Sequence, residues 1–132
     1  MGRSRRARVQ DIHDLAGGLP GVTCLDGRVY QVRRKSFVFF RNPRPDALDP
    51  ETGERLPDVI VFWVPSAEEK EAMVADASTP YFTTPHFDGH PSVLIRGSRI
   101  GEIDLDELTE LIQDAWLSRA SRRRGQTWLA QR

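Results

Sequence analysis

Two groups of side chains in this sequence are of types that do chemistry. The first is basic. Arg28, Arg33, Arg34, Lys35 and Arg41 lie close together and are interleaved with Tyr30, Phe37, Phe39 and Phe40. A guanidinium grips phosphate with a planar fork and an aromatic ring stacks on a base, so such a run suits contact with nucleic acid. Arg122, Arg123 and Arg124 add charge near the end of the chain, and Arg5 and Arg6 near its start. The second group is His86, Asp88 and His90. Alternate residues of an extended chain share a face, so these three could ligate one metal ion. They surround the turn signal Asp88-Gly89, however, and hydrogen bonds that hold the turn explain them equally well. Three ligands from one five-residue stretch fall short of a paired-ligand zinc motif. Metal is the lesser reading here, and no cofactor is expected.

Other catalytic signatures are missing from the sequence. There is no glycine-rich phosphate loop and no Gly-x-Ser-x-Gly elbow. Cys24 is the single cysteine, which excludes an internal disulfide and fits a reducing, cytoplasmic compartment. It stands in no recognised nucleophile motif. The expectation is a binding module and not an enzyme.

The chain's 19 basic and 19 acidic residues balance, but they are segregated. Residues 1–41 carry a net +6, residues 42–118 a net −11 and residues 119–132 a net +5. A local basic patch attracts phosphate even when the total is zero. The alternative is that both ends are simply solvated. A pI near 6.8 lies below that of a dedicated nucleic-acid binder.

The elements that must position these residues follow from periodicity. Val9, Ile12, Leu15 and Ala16 predict a helix over residues 5–16, stopped by Gly17-Gly18 and Leu19-Pro20-Gly21. Strands are expected at 28–32 and 36–41, joined by Arg33, Arg34 and Lys35. Phe37, Val38, Phe39 and Phe40 are apolar on both faces, which implies cover on both sides or an interface. Residues 42–58 form a long loop rich in proline and acid. A strand at 59–64 follows, then a helix at 67–77 capped by Ser66. Residues 81–87 are extended, and 92–96 form a further strand. The last helix starts at Asp104, with Glu107 completing a capping box. Beyond Arg119 the basic tail is expected to fray, with Trp128 and Leu129 able to dock. No apolar run is long enough to span a bilayer.

The order α-β-β-β-α-β-β-α predicts an α+β protein of two layers, with a mostly antiparallel sheet and helices on one face. One domain is expected, with its core at about residues 7–122 and a basic tail at 119–132. Three segments carry a resemblance. They are Leu19-Pro20-Gly21 followed by Tyr30-Gln31-Val32-Arg33-Arg34-Lys35-Ser36-Phe37, then His90-Pro91-Ser92-Val93-Leu94-Ile95, and then residues 106–116. In order and spacing they resemble the MmcQ/YjbR family. The resemblance implies a compact fold similar to type III secretion chaperones and DNA binding through a double-wing arrangement. It implies no catalytic residues, and Lys35 matches the family lysine of the second strand.

A metal- or small-ligand-binding, enzyme-like site at the His86–His90 turn is the least favoured function class, and two others are expected to compete. One is DNA contact through Arg28, Arg33, Arg34, Lys35, Arg41, Arg122, Arg123 and Arg124. The other is a homodimer or protein-partner module built on the apolar strands at 37–40 and 59–64.

Overall fold

The computed structural model describes residues 5–40, 59–84, 87 and 89–131. Among them the chain runs α1 (Val9–Gly17), β1 (Val22–Leu25), β2 (Val29–Val32), β3 (Lys35–Phe40), β4 (Val59–Trp63), α2 (Ala67–Ala75), β5 (Ser92–Arg96), a 3₁₀ turn (Gly97–Glu102), α3 (Leu105–Arg119) and α4 (Arg122–Ala130). The five strands form one antiparallel sheet in chain order. The protein is thus α+β, as its patterning predicts.

The sheet is buried on both faces because its central strands are apolar on both. Tyr30, Val32, Val38, Ile60, Phe62, Val93 and Ile95 face α1 and α3, where Ile12, Ala16, Leu108, Ile112, Ala115 and Trp116 meet them. A smaller cluster of Val59, Val61 and Leu94, with Phe39 beside it, is covered by Phe82 and Phe87. Phe37 and Val38 both enter the larger core because β3 carries a bulge. Tyr30 pairs with Val38 and Gln31 with Ser36, which leaves Phe37 as the extra residue.

Four expectations change. Residues 22–25 form an edge strand that periodicity does not reveal. Residues 81–84 contribute one bridge, Phe82 to Leu94, in place of a full strand, and residues 85 and 86 of the expected strand lie outside the described residues. The first helix starts at Val9 because residues 5–7 are drawn into pairing with 103–105. Ala7 N–H donates to the Ile103 carbonyl and Leu105 N–H to the Arg5 carbonyl, at 3.0 and 2.8 Å. The basic tail does not fray but forms α4. The predicted caps are found: Ser66 accepts from Glu69 N–H and Asp104 from Glu107 N–H. The Glu107 carboxylate does not fold back onto its own helix, as it accepts the Tyr81 hydroxyl.

β3 and β4 are central strands, so their backbone edges are already paired. They cannot add a partner strand. The edge strands are β1 and β5; the outer side of β5 carries the Phe82–Leu94 bridge, and the outer side of β1 pairs with no other described strand.

Candidate nucleic-acid interface

Antiparallel connection sends successive turns to opposite ends of the sheet, and this divides the expected basic group. Val32 pairs with Lys35, so Arg33 and Arg34 alone form the β2–β3 turn. Their φ angles are 55° and 64°. Two-residue hairpins favour this left-handed pair of conformations because it matches the strand twist. Asn-Gly or Asp-Gly normally occupies it, since an L side chain there costs about 1–2 kcal/mol. Arg33, Arg34 and Lys35 are all exposed at this tip.

Arg28 lies at the other end. It follows the Asp26-Gly27 turn, and its carbonyl accepts the Phe40 N–H at 2.8 Å. Five residues of strand separate it from Arg33, about 17 Å. One surface therefore cannot contain both Arg28 and the 33–35 tip within contact range of a single phosphate. Arg41 lies outside the described residues. The chain leaves β3 at Phe40 and re-enters at Val59, so both anchors of the acidic stretch 42–58 are at the end away from the arginine turn.

The tail returns to the arginine turn. After α3 the chain extends at Ala120, and Ser121 caps α4 by accepting from Arg124 N–H at 3.1 Å. Trp128 packs on Trp116 with ring centres 5.4 Å apart. The Trp116 indole N–H donates to the Pro20 carbonyl at 3.1 Å, which fixes that pair against the start of the sheet. At Gly21, where φ is +69°, a methyl group would lie 1.7 Å from Arg124 Nη1. The positive φ favours glycine there, and the absent Cβ lets the Arg124 guanidinium lie against the turn. Gly21 leads into Val22, whose partner is Val32, one residue before the arginine turn. Arg124 is therefore within about two strand spacings, ~10 Å, of that turn. Pro20, Ser121, Arg123, Arg124, Thr127 and Trp128 line a groove of about 330 Å³ between α4 and the Pro20 turn.

The N-terminal arginines do not join this end. Arg5 forms a two-pronged ion pair with Asp11, at 2.6 and 2.8 Å. That contact, with the Arg8 N–H, holds the Asp11 carboxyl down at about 2. The Arg6 guanidinium donates to the Gly101 carbonyl, and the Arg6 backbone forms an antiparallel bridge with that of Asp104, the N-cap of α3. The 15 residues of α3 put about 22 Å between that point and the tail helix.

Partnering distinguishes the two sets. Among the described residues, the side chains of Arg33, Arg34, Lys35, Arg122, Arg123 and Arg124 make no ion pair or hydrogen bond, whereas Arg5, Arg6 and Arg99 are engaged. Sequence reasoning missed one more cation of this end. Arg119 stacks 4.2 Å over the Trp63 ring. Its Nε and the Trp63 indole nitrogen are buried without a hydrogen-bond partner, as is the hydroxyl of Ser92 opposite Trp63. An arginine in the last turn of an apolar helix and a tryptophan closing a strand were the available signals.

The enzyme-like stretch reads differently. His86 and Asp88 lie outside the described residues. The His90 ring stands edge-on to Trp63 at 6.0 Å and to Phe87 at 5.8 Å. The His90 carbonyl accepts the buried Lys70 ammonium at 2.7 Å, and the Phe87 carbonyl accepts it as well. Lys70 thus ties this turn to α2, a role its place in a charged helix conceals. Among the described residues no three His, Cys, Asp or Glu side chains gather into a metal-holding group. Cys24 is exposed and pairs across the strands with Tyr30, whose hydroxyl meets His13 Nδ1 at 2.5 Å. Burial, with Cys24 and Asp14 nearby, pushes the Tyr30 hydroxyl up to about 12.

The family model YjbR matches residues 18–118. An uncharacterized protein of Mycobacterium tuberculosis is 36% identical over 124 residues, covering 91% of this chain and 94% of its own. An uncharacterized protein of Mycobacterium bovis matches to the same extent. No solved structure matches the chain. Among the described residues no helix is long and apolar enough to cross a membrane.

Proposed function

The chain belongs to the YjbR family, and from that premise we propose that it is a non-enzymatic, cytoplasmic module that binds the phosphate backbone of DNA through one end of its sheet. Arg33, Arg34 and Lys35 form the tip of a projecting hairpin. Arg122, Arg123 and Arg124 approach from the side on α4. The observation that carries the reading is the segregation of unpartnered cations. Among the described residues, six basic side chains of the hairpin tip and α4 have no partner and share one end, while Arg5 and Arg6 of the N-terminal arm are engaged by the protein itself.

The arginine turn supports the same reading. Strained backbone that persists where a relaxed sequence was available points to selection on the side chains. Two left-handed arginines at an exposed tip serve no packing purpose, since both side chains are in solvent. Phosphate contacts of this kind position a protein on DNA without reading its sequence.

The test is binding of a fluorescent duplex at two salt concentrations, about 50 and about 200 mM, where release of counterions makes phosphate contacts steeply salt-dependent. Wild type is expected to bind at the lower salt and to lose affinity by orders of magnitude at the higher. A variant with Arg33→Ala, Arg34→Ala and Lys35→Ala is expected to lose most of that binding. Binding that ignores salt, or that survives in the variant, counts against the proposal.

A second reading has one observation of its own. The outer edge of β1 is unpaired among the described strands, and Leu25 on it is 49% exposed. An open edge of this kind accepts an added strand, from a second copy or another protein. Sedimentation at high protein concentration tests the self-pairing form. A monomer throughout removes it.

A further inference from the structure

The α4 groove has a chemistry that the hairpin tip lacks. Its lining includes two guanidiniums, from Arg123 and Arg124, two hydroxyls, from Ser121 and Thr127, and the Trp128 indole, and none of its lining side chains is acidic. The arrangement is braced. Trp128 rests on Trp116, which is itself fully buried and hydrogen-bonded to Pro20. Arg124 lies where any side chain at Gly21 would collide with it. An aromatic plate braced on Trp116 and two exposed guanidiniums thus stand beside an open space of about 330 Å³.

That size decides what can enter. It lies at the lower end of the range for small-ligand sites, roughly 300–1,000 Å³, which suits one nucleotide. A duplex is too wide to place a stacked base in it. A base that has left the stack, at a strand end or in single-stranded chain, can lie against an aromatic ring while its phosphate meets the arginines.

We propose that the groove between α4 and Pro20 is a subsite for one unstacked nucleotide, with its base against Trp128 and its phosphate on Arg123 and Arg124. This deepens, and rests on, the nucleic-acid reading above. It makes the preferred ligand single-stranded DNA or a frayed end. Arg33, Arg34 and Lys35 then hold the adjoining backbone.

The test uses the full chain and two labelled probes, a single-stranded oligothymidine of about twelve nucleotides and a blunt duplex of equal length. A duplex has the denser charge and the steeper salt response, so a purely electrostatic surface favours it. With the subsite, the single strand binds at least as tightly as the duplex. Trp128→Ala weakens single-strand binding about tenfold through lost stacking and leaves duplex binding within about twofold. Trp128→Phe restores most of the loss. Arg124→Gln, an exposed change that does not disturb the tryptophan pair, weakens the single strand more than the duplex. It decides the matter if Trp128→Ala fails to fold by circular dichroism. A clear preference for the duplex, or variants that weaken both probes equally, overturns the subsite and leaves the backbone proposal standing. Binding of neither probe at low salt overturns both.

Discussion

The two hairpin turns of this sheet solve one geometric problem with different residues. The β1–β2 turn takes Asp26 and Gly27 into the left-handed region, at φ of 53° and 66°. The β2–β3 turn takes Arg33 and Arg34 there, at 55° and 64°. Asp-Gly is an ordinary answer for such a turn, and glycine has no Cβ to strain. Arg-Arg is not. The first turn has glycine at one of its two left-handed positions, whereas the second places two residues with a Cβ there, both with exposed guanidiniums. The contrast extends across the sheet. At the arginine turn the neighbouring cations of α4 have no partners among the described residues, and at the start of α3 the arginines are bound into the structure.

Charge removal at the two ends should sharpen the contrast most. Arg33→Ala, Arg34→Ala and Lys35→Ala together should lower duplex affinity by about two orders of magnitude and reduce the salt slope by roughly 3. Arg122→Ala, Arg123→Ala and Arg124→Ala together should cost about tenfold in the same anisotropy assay, because α4 approaches from the side of the tip. Equal, small effects from both sets would dissolve the distinction between tip and surround.

Stability should respond in the opposite sense. Replacing the turn by Arg33→Asn and Arg34→Gly relieves two strained residues and should raise the unfolding free energy by about 1–2 kcal/mol in urea melts. No gain would show that the turn carries no strain.

The ion pair at the other end makes a pH prediction. The folded carboxyl of Asp11 is depressed to about 2 by Arg5. Its stabilisation is present above the unfolded value of about 4 and is lost as pH falls from there through about 2. Asp11→Asn should lower the melting temperature at neutral pH by roughly 3–6 °C, equivalent to about 1 kcal/mol, and flatten the decline between pH 4 and 2. A variant that melts like wild type at pH 7 would show that Arg5 is not held there. The smallest effect is expected at Arg28, where substitution by alanine should leave DNA affinity within about twofold, since it stands at the wrong end of the sheet.

Much of this was legible in the sequence where the governing physics is local. The caps at Ser66 and Asp104 are legible because capping is decided within four residues. The double-faced run of Phe37, Val38, Phe39 and Phe40 correctly announces a strand covered on both sides, although the bulge at Phe37 does not show. β1 was missed because it is short and mostly exposed, so it carries no alternating pattern. Asp26-Gly27 was its one available sign. α4 was missed for a related reason: its sequence is polar, and its place is set by the long-range contact of Trp128 with Trp116. That contact also decides the candidate site. Composition groups Arg28 with Arg33, but strand direction separates them, and only the docking of α4 on Pro20 brings Arg124 to the arginine turn. The His86, Asp88 and His90 stretch resolves only at His90, since the other two lie outside the described residues.

The most direct test of the central claim is the salt dependence of duplex binding by the Arg33→Asn, Arg34→Gly protein. The substitution keeps the turn and removes its charge. A more stable protein with weakened DNA binding and a shallower salt slope is the expected result. A more stable protein that binds DNA as wild type does, with the same slope, would contradict it, and the arginine turn would then not be where this protein meets phosphate.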